Sequence, residues 1–154
     1  KGGFMNTIKV ESFSLDHTKV NAPHVRQAEV FQTPQGDLIT KYDLRFTQPN
    51  QEIMPTAAVH ALEHLLAGFL REELPGIMDL SPMGCRTGFY LIRLGQAREE
   101  EIARALIKSL SKVIKAQTVP ARNAMQCGNY RDISLFGAQE YAKQVMHGLQ
   151  KKYS

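Results

Sequence analysis

The sequence predicts an α+β fold, a single domain with a mainly antiparallel sheet and helices packed on one face. Three observations lead there. The chain has 154 residues, 43% hydrophobic and 22% charged, the balance of one globular domain with one core. Short runs of alternating hydrophobicity flank turn signals, as in hairpins. Three longer segments carry apolar residues at helical spacing. Met5 reads as the natural start, so the domain is placed at 5–154 and residues 1–4 read as a remnant.

The elements follow in order. Val10 to Leu15 reads as a short strand. Val25 to Phe31 and Leu38 to Phe46 flank Thr33-Pro34-Gln35-Gly36-Asp37, which predicts a hairpin. In its second arm Leu38, Thr40, Tyr42, Leu44 and Phe46 share one face, and Ile39, Lys41, Asp43 and Arg45 form a polar face. Pro55 suits the first turn of a helix running to about Leu74, with Val59, Leu62, Leu66, Phe69 and Leu70 as its apolar stripe. Strands follow over Ile77 to Leu80 and Thr87 to Leu94, joined through Ser81-Pro82-Met83-Gly84. Glu99-Glu100-Glu101 opens a helix at the end where its dipole favours negative charge, and Ile102, Leu106, Leu110 and Val113 face inward. Ser134 caps a last helix that buries Leu135, Ala138, Tyr141, Val145 and Leu149.

A net charge of +4 with scattered lysines and arginines lacks the concentrated basic face and interleaved aromatics of a nucleic-acid reader. No apolar run approaches the roughly 20 residues of a membrane span. The first ten residues lack the apolar stretch of a signal peptide. A reducing cytoplasm is therefore expected, where the two cysteines, Cys85 and Cys127, act as ligand, nucleophile or core rather than as a bridge.

The informative stretch is His60-Ala61-Leu62-Glu63-His64. On a helix, positions i and i+4 lie one turn apart, so both imidazoles can face one metal ion, with Glu63 at the edge of that face. The bland alternative is a pair of solvated histidines on an amphipathic helix. A catalytic ion takes three protein ligands and keeps an open position. Cys127, Cys85, His17, His24, His147 and Glu140 are candidates for the third. Glu140 would make an inverted-motif zinc peptidase with Glu63 as base. A cysteine as third ligand would leave the other cysteine for acid–base work. Both cysteines together would make a closed, non-enzymatic Cys₂His₂ site, although such sites usually draw their cysteines as close pairs. Cys85 falls on a tight turn between strands and Cys127 in a loop between helices.

His60 to His64, Ser81-Pro82-Met83-Gly84-Cys85, Gln126-Cys127-Gly128 and Glu11-Ser12-Phe13-Ser14-Leu15-Asp16-His17-Thr18 together resemble the S-ribosylhomocysteine lyase (LuxS) family. Lys41 to Phe46 and Gln48-Pro49-Asn50 fit the same pattern, and the matches run in order along nearly the whole chain. The resemblance implies cleavage of the thioether of S-ribosylhomocysteine to homocysteine and 4,5-dihydroxy-2,3-pentanedione, the autoinducer-2 precursor. It implies His60, His64 and Cys127 as metal ligands, Glu63 and Cys85 as the acid–base pair, and Ser12, His17, Arg45 and Asp79 as substrate-binding residues. The implied ion is Fe²⁺, with Zn²⁺ or Co²⁺ able to replace it. The resemblance also implies a homodimer with active sites at the interface. The segment from Ser12 to His17 would then approach the partner's metal site, with His17 acting in trans to the Cys85 of its own chain.

Overall fold

The computed structural model describes residues 8–154, so the expected natural start at Met5 lies outside the described residues. Its elements are α1 (Glu11–Ser14), β1 (His24–Gln32), β2 (Leu38–Arg45), α2 (Thr56–Glu73), β3 (Ile77–Pro82), β4 (Gly88–Leu94), α3 (Glu99–Lys115) and α4 (Leu135–Tyr153). The strands form one four-stranded sheet in the order β1-β2-β4-β3, with every neighbouring pair antiparallel. The α+β expectation holds.

The first hairpin closes where the turn residues stand. Gly36 adopts a φ of 96°, and the Thr33 and Asp37 backbones pair across the turn at 2.8 Å. α2 begins one residue after Pro55, whose carbonyl accepts from the Ala58 and Val59 amides. α3 carries its three glutamates in the first turn and Lys112 and Lys115 in the last, as the helix dipole favours. The Glu99 carboxylate also accepts from the Gln27 amide, which ties α3 to β1. At α4 the Ser134 hydroxyl accepts from the Gly137 amide at 2.9 Å.

The three long helices meet one face of the sheet. Val25, Tyr42, Leu44, Phe89 and Leu91 look into a core completed by Leu62, Leu66 and Leu70 of α2, Leu106 and Leu110 of α3, and Val145 and Leu149 of α4. Burying a large aliphatic side chain stabilises by about 1.5–3 kcal/mol, so this layer is the main source of stability. Phe69, Leu135 and Tyr141, expected inward, are only partly buried at its margin.

The other face departs from expectation. Residues 10–15 form a helical turn, not a strand. Glu11 accepts a hydrogen bond from Arg26 on β1, which draws α1 back over the sheet. Arg26, Asp43, Tyr90 and Ser81 stand in one row across the four strands. Under α1, Asp43 and Arg45 are 0% and 1% exposed, so the nominal polar face of β2 is buried at this end. Gly88 makes the crossing tight: a Cβ there would sit 2.2 Å from the Leu44 carbonyl oxygen.

Candidate metal centre and adjoining clefts

On α2, Val59, Leu62 and Leu66 turn into the core and leave His60, Glu63 and His64 on the half-buried side. The Nε2 atoms of His60 and His64 lie 3.1 Å apart. Cys127 Sγ stands 3.4 Å from His60 Nε2 and accepts from the Asn129 amide. Among the described residues these three are the group able to hold an ion, with ligand atoms all within 4.8 Å of one another. The loop over 116–134 supplies the cysteine and also the support for both rings. His60 Nδ1 pairs with the Asp132 carbonyl at 3.0 Å, and His64 Nδ1 with the Pro120 carbonyl at 2.8 Å. A carbonyl only accepts, so each Nδ1 carries the proton and each Nε2 presents a lone pair. Metal-ligating histidines are oriented in this way. Two imidazole nitrogens and one thiol, so supported, fit a divalent transition ion with an open position.

The other candidates for third ligand lie elsewhere. Glu140 is exposed and pairs with Lys143 at 3.1 Å, so the peptidase-like site is not assembled. Cys85 is exposed outside the cluster, which removes the closed Cys₂His₂ site.

Two clefts flank the β3–β4 turn. One, of about 350 Å³, is lined by His60 and Glu63 of α2, by Met83, Gly84 and Arg86, and by Asn129 and Asp132 of the cysteine loop. The other, of about 320 Å³, is lined by Ser12, His17, Arg45, Cys85 and Tyr90, and shares Met83 and Gly84 with the first. The expected acid–base pair is thus divided, Glu63 in one cleft and Cys85 in the other. His17 lines the Cys85 cleft of its own chain, with Nδ1 held by the Leu15 carbonyl. It shares a cleft with the Cys85 of its own chain, which corrects the expectation that sets the two residues in trans.

Arg45 is not a surface group. It donates to Asp43 Oδ2 at 2.8 Å and to Thr87 Oγ1 at 2.9 Å, and its Nη1 lies 4.0 Å from Cys85 Sγ. It makes no ion pair with Asp79. Asp79 is exposed on β3, lines neither cleft and accepts from the Ser81 hydroxyl. Burial, reinforced by the Asp43 carboxylate, pushes the Tyr90 phenol above its usual value, while a hydrogen bond with Ser12 opposes the shift. Asp43 and Thr87 were not singled out in the sequence. Each stands two residues along its chain from a site residue, Arg45 or Cys85, and that spacing was the available signal.

The family profile S-Ribosylhomocysteinase (LuxS) matches residues 10–154, the stretch that carries both clefts. The chain belongs to this family. Among its relatives, the S-ribosylhomocysteine lyase of Clostridioides difficile strain 630 is 58% identical over 138 residues, 90% of this chain and 91% of the relative. That of Clostridium botulinum strain Alaska E43 is 59% identical over 138 residues, with the same coverage. That of Enterococcus faecalis strain V583 is 58% identical over 139 residues, 90% of each chain. His60, His64 and Cys127 thus form a metal-capable site in a chain of this family. No helix among the described residues is long and apolar enough to cross a membrane.

Proposed function

We propose that this protein is a carbon–sulfur lyase that cleaves S-ribosylhomocysteine to homocysteine and 4,5-dihydroxy-2,3-pentanedione, the precursor of autoinducer-2. The observation that carries the reading is the convergence of His60, His64 and Cys127 within a chain of the S-ribosylhomocysteinase family. His60, His64 and Cys127 would hold a divalent ion, Fe²⁺ with Zn²⁺ or Co²⁺ as substitutes, which would supply Lewis acidity for the carbonyl migration. The proton transfers belong to Glu63 and Cys85. A proton leaves C2 and one is returned at C1, which moves the carbonyl to C2. Removal at C3 and return at C2 then move it to C3. With the ketone at C3, loss of the C4 proton expels the C5 sulfur, and the departing homocysteine takes up a proton. No net oxidation or reduction occurs.

Ser12, His17 and Arg45 bind and orient the sugar beside the Cys85 sulfur. Asp79 is assigned to the charged amino-acid end of the substrate. The division of Glu63 and Cys85 between two clefts supports a homodimer, with the Cys85 cleft of one chain facing the metal cleft of the other. The two free cysteines suit a reducing cytoplasm. The exposed Phe13, Met125 and Phe136, at 84%, 97% and 74%, are apolar surface for such a contact. The deciding experiment incubates metal-loaded protein with S-ribosylhomocysteine and titrates the released thiol. Stoichiometric homocysteine is expected, and its absence overturns the assignment.

A further inference from the structure

The hydrogen bonds behind Cys85 have a direction. Arg45 can only donate, so its Nη1 bond at 2.9 Å fills one acceptor position of the Thr87 hydroxyl. Thr87 is 2% exposed, and its oxygen has one other partner among the described residues, Cys85 Sγ at 3.1 Å. If the thiol donated to Thr87, the hydroxyl's own proton would be buried without an acceptor, a loss comparable to a broken hydrogen bond. The chain of donation therefore runs from Arg45 to Thr87 to sulfur, and it is anchored at its far end. Asp43 Oδ2 accepts from Arg45 and also from Arg26 at 3.0 Å. The Thr87 carbonyl accepts from the Phe46 and Thr47 amides, which fixes the residue against β2.

We infer that Thr87 is a positioning residue of the proposed lyase, its hydroxyl holding the Cys85 sulfur as a proton acceptor in the cleft lined by Ser12 and His17. The inference rests on the lyase reading for its catalytic meaning: Cys85 enters the reaction as a base. The titratable and charged groups lining the sulfur's cleft are Arg45 from β2, His17 from the segment after α1, and Tyr90 from β4, with Asp43 behind Arg45, and all of them remain when Thr87 is replaced.

The test follows iodoacetamide labelling of Cys85 against pH in metal-loaded wild type, Thr87→Val and Thr87→Ser, with the Cys85 and Cys127 adducts separated by peptide mass spectrometry. In Thr87→Val the pH of half-maximal labelling should rise by about one unit, the loss of one hydrogen bond to a charged acceptor. Thr87→Ser should restore the wild-type profile. A valine profile that overlays wild type, or a serine profile that follows valine, overturns the inference. Thr87→Ala carries the same comparison if the valine chain does not fold. Labelling needs no substrate, so wild type that releases no homocysteine refutes the lyase reading alone.

Discussion

Each imidazole of the metal-capable site is held by one backbone carbonyl, and Cys127 comes from the loop that supplies both carbonyls. Cys127→Ala should therefore strip the ion while Glu140→Ala leaves it bound, as read by elemental analysis. The reverse result would restore the peptidase-like site. Cys85→Ala should keep full metal content and lose turnover by about 10²–10⁴-fold, the loss typical of a missing acid or base, and Glu63→Gln should do the same. Near-normal turnover in either variant removes that residue from the proton transfers. His24 contributes to stability without touching either cleft. Burial, aided by the nearby Arg45, Lys152 and Arg26 against the opposing pull of Asp43, lowers its imidazole to about 4. The unfolded chain binds that proton below about pH 6.5, the folded protein only below about 4. His24 thus adds stability above pH 6.5 that is lost as pH falls towards 4, on the order of 2 kcal/mol after allowing for residual exposure. His24→Gln should flatten the fall in melting temperature over that window; an unchanged slope would place the titration elsewhere.

Among the elements, the three long helices and both hairpins were legible, because each declares itself by periodicity bounded by a turn or cap: Thr33 to Asp37, Pro55, Ser134. The metal triad was legible for a related reason, since two of its ligands are one helical turn apart. The turn α1 was not, because four residues cannot show a helical period, and what bends them is Glu11 meeting Arg26 at a distance in sequence. The same contact hid the burial of Asp43 and Arg45. Alternation along β2 assigns them to solvent, and only the folded-back segment takes them out of it. Gly88 is the local device that permits the arrangement. Gly88→Ala would press a methyl against the Leu44 carbonyl, and should cost about 1–3 kcal/mol in urea unfolding. Gly84→Ala meets nothing within 4 Å and should leave stability within about 0.5 kcal/mol. Equal effects at the two positions would mean that β2 and β4 do not need this close approach.

For the whole molecule, the two clefts imply two kinds of lesion. Chains carrying Cys127→Ala mixed with chains carrying Cys85→Ala should recover activity, near one quarter of wild type for free exchange, because in the proposed homodimer a mixed pair has one site with both lesions and one with neither. A mixture of His17→Ala and Cys85→Ala chains should stay inactive, since both residues line one cleft. If the first mixture stays inactive while subunits demonstrably exchange, each active site is contained in one chain. The carbonyl contacts of His60 and His64 have a consequence for assembly of the centre itself. They stitch the loop over 116–134 to α2 across separations of 72 and 56 residues with protein atoms alone. The ordering entropy of that loop is then met during folding, so a chelated protein should present the ion with a preorganised socket and reload without refolding. Trypsin should cut after Arg122 and Arg131 equally slowly with or without chelator, whereas His64→Ala, which removes one stitch, should speed cleavage there.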